Sequence, residues 1–105
     1  MRFQVKPINI DGIDYKVTVE QVDNMADNQG SITYRDSHIR VLDTLKDNQH
    51  NSVLLHESLH GISMHRDLDL TEHQIRSMTF GLIGLVRNNK GLFNSIISGE
   101  KYGKR

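Results

Sequence analysis

The chain has 105 residues, and its thirteen Lys plus Arg are balanced by thirteen Asp plus Glu, so it reads as one electrically neutral domain over 1–105. Balanced charge argues against a broad electrostatic footprint for nucleic acid or an anionic membrane, and the absence of cysteine excludes a disulfide framework, thiolate-ligated zinc and a cysteine nucleophile. With 36% hydrophobic and 6% aromatic residues the core must be small and aliphatic, and a bound ion is a natural support for it.

The first residues, Met-Arg-Phe-Gln-Val-Lys-Pro, lack the apolar run of a signal peptide, and the longest uncharged apolar stretch, 77–86, is half a membrane span. A cytoplasmic protein without a membrane segment is expected. Asp11-Gly12 favours a tight hairpin turn, because both residues tolerate positive φ, and predicts strands near 3–10 and 13–20. Residues 23–30 are polar and turn-rich and read as a surface loop leading to Ser31-Ile32-Thr33-Tyr34. After a turn at Arg35-Asp36-Ser37, the alternation in His38-Ile39-Arg40-Val41-Leu42 predicts a half-buried strand antiparallel to 32–34.

Asp43 either caps a helix or closes that strand. Beyond it no proline recurs and the periodicity becomes helical, with one helix over about 48–64 and a break at 66–70. Thr71-Glu72-His73-Gln74 then matches a capping box and opens a second helix running to about Asn88. Residues 92–97 add a helical turn or two, and 99–105 reads as a frayed tail. The expected fold is α+β: a small antiparallel sheet of three to four strands packed on two main helices.

His56-Glu57-Ser58-Leu59-His60 is an H-E-x-x-H motif inside the first predicted helix. Residues four apart stand one turn above the other, which places both imidazoles on one ion and sets Glu57 beside it. A tetrahedral zinc needs one more protein ligand and keeps a position for water, whose pKa it lowers from about 15.7 to roughly 7. Glu57 would deprotonate that water and later protonate the leaving amine. An ordinary polar helix face is the competing explanation, but such a face carries Lys, Glu or Gln. From 52 to 63 there is no ionisable residue besides His56, Glu57 and His60. At about 100° per residue Leu55, Leu59 and Ile62 share one side, while Val53 and Met64 fall near the histidines, so the helix reads as buried on two sides. Buried polar groups need a strong partner, and a metal is the economical one. Gly61 either lets another backbone approach the helix or is merely tolerated near its end. Among His38, His50, His65 and His73, the last is the best placed to join the metal.

His56-Glu57-Ser58-Leu59-His60-Gly61, preceded by Val53-Leu54-Leu55 and by strands at 32–34 and 39–42, resembles the short zincin-like metallopeptidases of bacteriophages and prophages, distant relatives of the ImmA/IrrE type. The resemblance runs from about Gly30 to Val86. Within it Leu70-Thr71-Glu72 looks like the family's second-helix start carrying a glutamate ligand. It implies a minimal gluzincin: Zn2+ on His56, His60 and Glu72, Glu57 as the catalytic base, peptide-bond hydrolysis, and a sheet edge that takes an extended peptide as an added strand. Tyr34, His65 and Arg66 are the candidates for steadying the oxyanion. Helix geometry can weigh Glu72 against its neighbour. If Ile75, Met78, Leu82, Leu85 and Val86 form the buried stripe of the second helix, Glu72 lies at its edge beside Thr79 and Ile83. His73 then points about 100° away, with Ser77, Phe80 and Gly84.

The expected function is therefore a zinc metallopeptidase acting on a peptide or protein, with neither nucleic acid nor membrane as partner. The alternative is a non-catalytic phage or prophage interaction protein stabilised by a structural zinc. Lys101, Lys104 and Arg105 are the one hint of a nucleic-acid factor, and they read more simply as solvated charge.

Overall fold

Asp11 and Gly12 both adopt positive φ, 52° and 90°, as a two-residue turn requires when its twist is to match that of its strands. The turn joins β1 (Phe3–Ile10) to β2 (Ile13–Glu20) in an antiparallel hairpin. Asn9 clamps it, accepting from the Gly12 amide at 3.0 Å and donating to the Asp14 carboxylate at 2.8 Å. Val5 faces Val17 but Ile8 faces Tyr15, so Lys6 and Pro7 together stand opposite Lys16. The extra residue is a β-bulge at the chain's one proline, which has no N–H to give to a ladder.

These coordinates are a computed structural model describing residues 3–22, 25 and 28–103. Asp23, Asn24, Ala26 and Asp27 of the expected polar loop, and Lys104 and Arg105 of the expected frayed tail, lie outside the described residues. Met25, within that loop, is buried.

β3 (Gly30–Thr33) and β4 (His38–Leu42) form the second antiparallel pair, with Ile32 opposite Ile39. The strand order is β1-β2-β4-β3, and the central pair β2–β4 runs parallel. The antiparallel expectation therefore holds for the two outer pairings and fails at the centre, giving a mixed sheet. The chain leaves β2, forms β3 at the far edge, and returns through a hairpin to place β4 alongside β2. This sets Ile39 and Val41 against Val17 and Val19. Ile39, Val41 and Val17 are completely buried there, as parallel strands generally are.

On one face of the sheet Ile10, Tyr15, Val17 and Ile39 pack with Val5, Ile8 and Ile32, and with Leu54 and Ile62 of the helix α1 (Asp47–His65). On the other face Thr18, Glu20 and His38 are buried polar residues. The Thr18 hydroxyl donates to Glu20 Oε2 at 2.6 Å, which leaves the His38 Nε2–H to donate to Thr18 Oγ1 at 2.7 Å. Burial, with Arg40 and Lys16 adding to it, holds His38 below the usual histidine range, so it serves the sheet as a neutral donor.

Asp43 closes β4 rather than capping a helix: its amide donates to the Glu20 carbonyl at 2.8 Å. The α1 N-cap is Lys46, whose amide donates to Gln49 Oε1 at 3.2 Å. At the other end Arg66 binds the Asp11 carboxylate at 2.6 Å, and His65 Nε2 bonds the Tyr15 hydroxyl at 2.6 Å, tying the helix terminus to the β1–β2 turn. The following segment reverses through Asp67 and Asp69, both at φ 55°, and is pinned by the Leu70 amide donating to Ser63 Oγ at 3.0 Å.

The capping box then forms as expected: Thr71 Oγ1 accepts from the Gln74 amide at 3.1 Å, and Gln74 Oε1 from the Thr71 amide at 2.8 Å. It starts α2 (Glu72–Asn88), and α3 (Lys90–Ser98) follows, somewhat longer than the turn or two expected. No helix among the described residues is long and apolar enough to cross a membrane.

As its apolar composition implies, α1 is covered from two directions. Glu57 and Gly61 face the sheet, and Leu59 and Ser63, also buried, lie on the side toward α2. A Cβ on Gly61 would lie 2.8 Å from Ile10 Cδ1 and 3.3 Å from Ile32 Cδ1, so the missing side chain admits two sheet side chains and no second backbone. The α2 stripe is narrower than its periodicity implies. Ile75 and Thr79 are buried, but Met78, Leu85 and Val86 are 43%, 46% and 43% exposed. α2 packs chiefly on α1, still meeting it near its end, where Arg87 donates to Asn48 Oδ1 at 3.3 Å, and this one-sided packing leaves those three exposed.

Candidate metal centre

The i, i+4 spacing in α1 stacks His56 and His60 edge to face, with ring centroids 4.9 Å apart. Because Ser63 pins Leu70 and Thr71 caps α2, the first residue of α2 arrives directly over these two rings. Glu72 Oε1 lies 2.6 Å from His56 Nε2, and Glu72 Oε2 lies 3.0 Å from His60 Nε2. One donor atom from each of the three residues lies within 4.8 Å of the other two. Tetrahedral ligands held about 2.0–2.2 Å from a metal stand roughly 3.3 Å apart, so these separations bracket what an ion needs. Two imidazole nitrogens and a carboxylate are also a suitable donor set, and the group can hold a metal ion.

The sequence-based choice of Glu72 over His73 agrees with this placement, since His73 is exposed and outside the group. The histidine side chains are 20% and 24% exposed and that of Glu72 is 55%, which leaves the centre open on one side. Burial tends to raise the Glu72 carboxyl, but His56 and His60 together outweigh it and hold the group below the usual carboxylate range.

Glu57 is set differently. It is 8% exposed, turns toward β3, and is not one of the three grouped ligands. Burial pushes its carboxyl up to about 7, with His60 pulling it down and Glu72 pushing it further up. Its packing depends on Gly30: a Cβ there would lie 3.3 Å from Glu57 Oε2 and overlap Val53 Cγ1. Gly30→Ala is accordingly expected to displace both side chains and destabilise the fold by about 1–3 kcal/mol. A urea melt checks the stability, and metal content should stay near wild type because Gly30 supplies none of the three grouped donor atoms.

The centre lies in an open cleft of about 570 Å³, also lined by Asn28, Ser52, Val53, Arg76 and Phe80. Sequence reasoning did not single out Arg76, and it grouped Phe80 with His73, about 100° around the helix from Glu72. The available signal was spacing, since Arg76 and Phe80 follow Glu72 at intervals of four on α2. Of the oxyanion candidates, His65 and Arg66 are committed to Tyr15 and Asp11 and do not line the cleft. Tyr34 is nearer, its hydroxyl donating to the His60 carbonyl at 3.2 Å. His38 is held in the sheet by Thr18, and His50 is half-buried in the first turns of α1, outside the grouped ligands. Comparison of the chain with family models, with curated proteins and with solved structures gave no match.

Proposed function

We propose that this chain is a small zinc metallopeptidase. The observation that carries the reading is the convergence of His56 Nε2 and His60 Nε2 on one carboxylate, Glu72, while the intervening Glu57 stands apart from the ligand atoms yet lines the same cleft. Zinc held by that donor set supplies Lewis acidity toward a carbonyl oxygen and toward water. Glu57 takes the proton of the attacking water on its carboxylate and returns it to the departing amine nitrogen. Close packing of its carboxylate beside Gly30 is consistent with a held position. β3 supports the same reading: it is an edge strand of the sheet, its first residue Gly30 lines the cleft, and its outer side, which pairs with no strand among the described residues, suits an extended peptide.

The test combines metal analysis, a thermal melt with and without excess chelator, and cleavage of a random peptide library followed by mass spectrometry. About one equivalent of zinc is expected, together with a fall in melting temperature of about 10 °C or more on chelation and library cleavage that the chelator stops. A protein that binds zinc and melts lower without it, but cuts no peptide, would be a metal-stabilised binding protein instead. Absence of metal and an unchanged melt would remove the metal centre altogether.

A further inference from the structure

Arg76 stands one turn beyond Glu72 on α2, and in that arrangement a glutamate and an arginine four residues apart ordinarily pair. Here they do not. Both Glu72 oxygens are turned to the histidines, Oε1 to His56 and Oε2 to His60. Arg76 is left exposed on the cleft wall, and its guanidinium makes no hydrogen bond or ion pair among the described residues. It is the one Lys or Arg of the described residues that line the cleft, whose acidic residues are Glu57 and Glu72. A divalent ion would offset those two carboxylates, leaving Arg76 as the uncompensated charge. One turn further, Phe80 is 66% exposed and lines the same wall, so the aromatic ring and the fork of N–H donors are presented side by side.

We infer that Arg76 is a substrate-binding residue that selects a peptide carboxylate, with Phe80 packing against the apolar part of the same segment. The inference rests on the peptidase reading and specifies its substrate class: peptides carrying an acidic side chain or a free C-terminal carboxylate close to the cut bond. One helical turn is about 5.4 Å and an extended peptide advances about 3.3 Å per residue, so the carboxylate falls within about two residues of the metal centre. Arginine suits the role because its planar fork binds a carboxylate through two parallel N–H donors.

The test uses metal-loaded Glu57→Gln protein, which spares the peptide, and the fluorescence anisotropy of three dansylated probes. These are dansyl-Gly-Leu-Ala-Leu-Ala as the free acid, the same peptide as its amide, and the amide with its last Ala replaced by Glu. At low salt at least one carboxylate-bearing probe should bind about tenfold more tightly than the neutral amide. The advantage should shrink at 0.5 M salt, vanish in Arg76→Gln and survive in part in Arg76→Lys. Preference for the free acid alone assigns the C-terminal carboxylate, and preference for the Glu amide assigns an acidic side chain; either supports the inference. Equal binding of all three probes, no binding of any, or an advantage that persists in Arg76→Gln overturns it. Library cleavage by the wild-type protein reports on the peptidase reading separately. Cleavage without carboxylate preference leaves that reading standing and removes this inference, whereas Arg76-dependent binding without cleavage does the reverse.

Discussion

Replacing Glu72 by Ala is expected to weaken metal binding by at least about a hundredfold and to abolish metal-dependent activity, while His73→Ala keeps metal content at the wild-type level. Loss of an outer-shell partner alone typically costs 10- to 100-fold in affinity, and Glu72 contacts both histidines directly. Its removal leaves two nitrogens on one helix and no carboxylate to close the group. The fold should tolerate the change. Glu72 is more than half exposed, and its remaining contribution is that of an acid at a helix N-terminus, about 0.3–1 kcal/mol. A metal titration alongside a melt of the apo protein separates the two effects. Retained metal in Glu72→Ala with loss in His73→Ala would reverse the assignment.

For Glu57→Gln the expected pattern is the opposite: metal and fold retained, and hydrolysis reduced by about 10²- to 10⁴-fold, the usual worth of a positioned general base. Glutamine fills nearly the same volume against Gly30 and Val53 but cannot accept the proton. A neutral side chain is also easily accommodated, since burial already pushes the Glu57 carboxyl up to about 7. The measurement is kcat together with zinc content and melting temperature in one preparation. If the variant loses zinc, Glu57 belongs to the ligand set and the division of roles on α1 is wrong.

The parts of this fold legible in the sequence are those encoded by near neighbours. Asp11-Gly12 specifies its turn through backbone preference, Thr71 to Gln74 specifies a helix start through reciprocal hydrogen bonds, and His56 and His60 share a helix face whatever surrounds them. The parallel pairing of β2 with β4 was not legible, because it depends on where the 21–29 connection carries the chain. Nor was the exposure of Met78, Leu85 and Val86. Apolar periodicity marks a face that can be buried, but only the tertiary arrangement supplies a cover. Gly30 is the same lesson at the site. In the sequence it closes a polar run, and only when β3 lies beside α1 does its missing side chain become the space that Glu57 and Val53 occupy.

The bulge at Lys6-Pro7 bears on how this molecule meets other chains. A sheet of four strands has two edges, each a template on which a stray strand can propagate into an aggregate. On β1 the register is broken after Val5 and resumes at Ile8, with a lysine and a residue lacking an N–H at the break, so that edge offers an invading strand no continuous ladder. The opposite edge, β3, is four residues long, about 13 Å, and begins at the cleft. The edge left open to strand addition is thereby a short stretch beside the candidate metal centre. The break that blunts one edge thus leaves β3 as the edge on which an added strand would lie, and such a strand would run beside the cleft that Gly30 and Glu57 line.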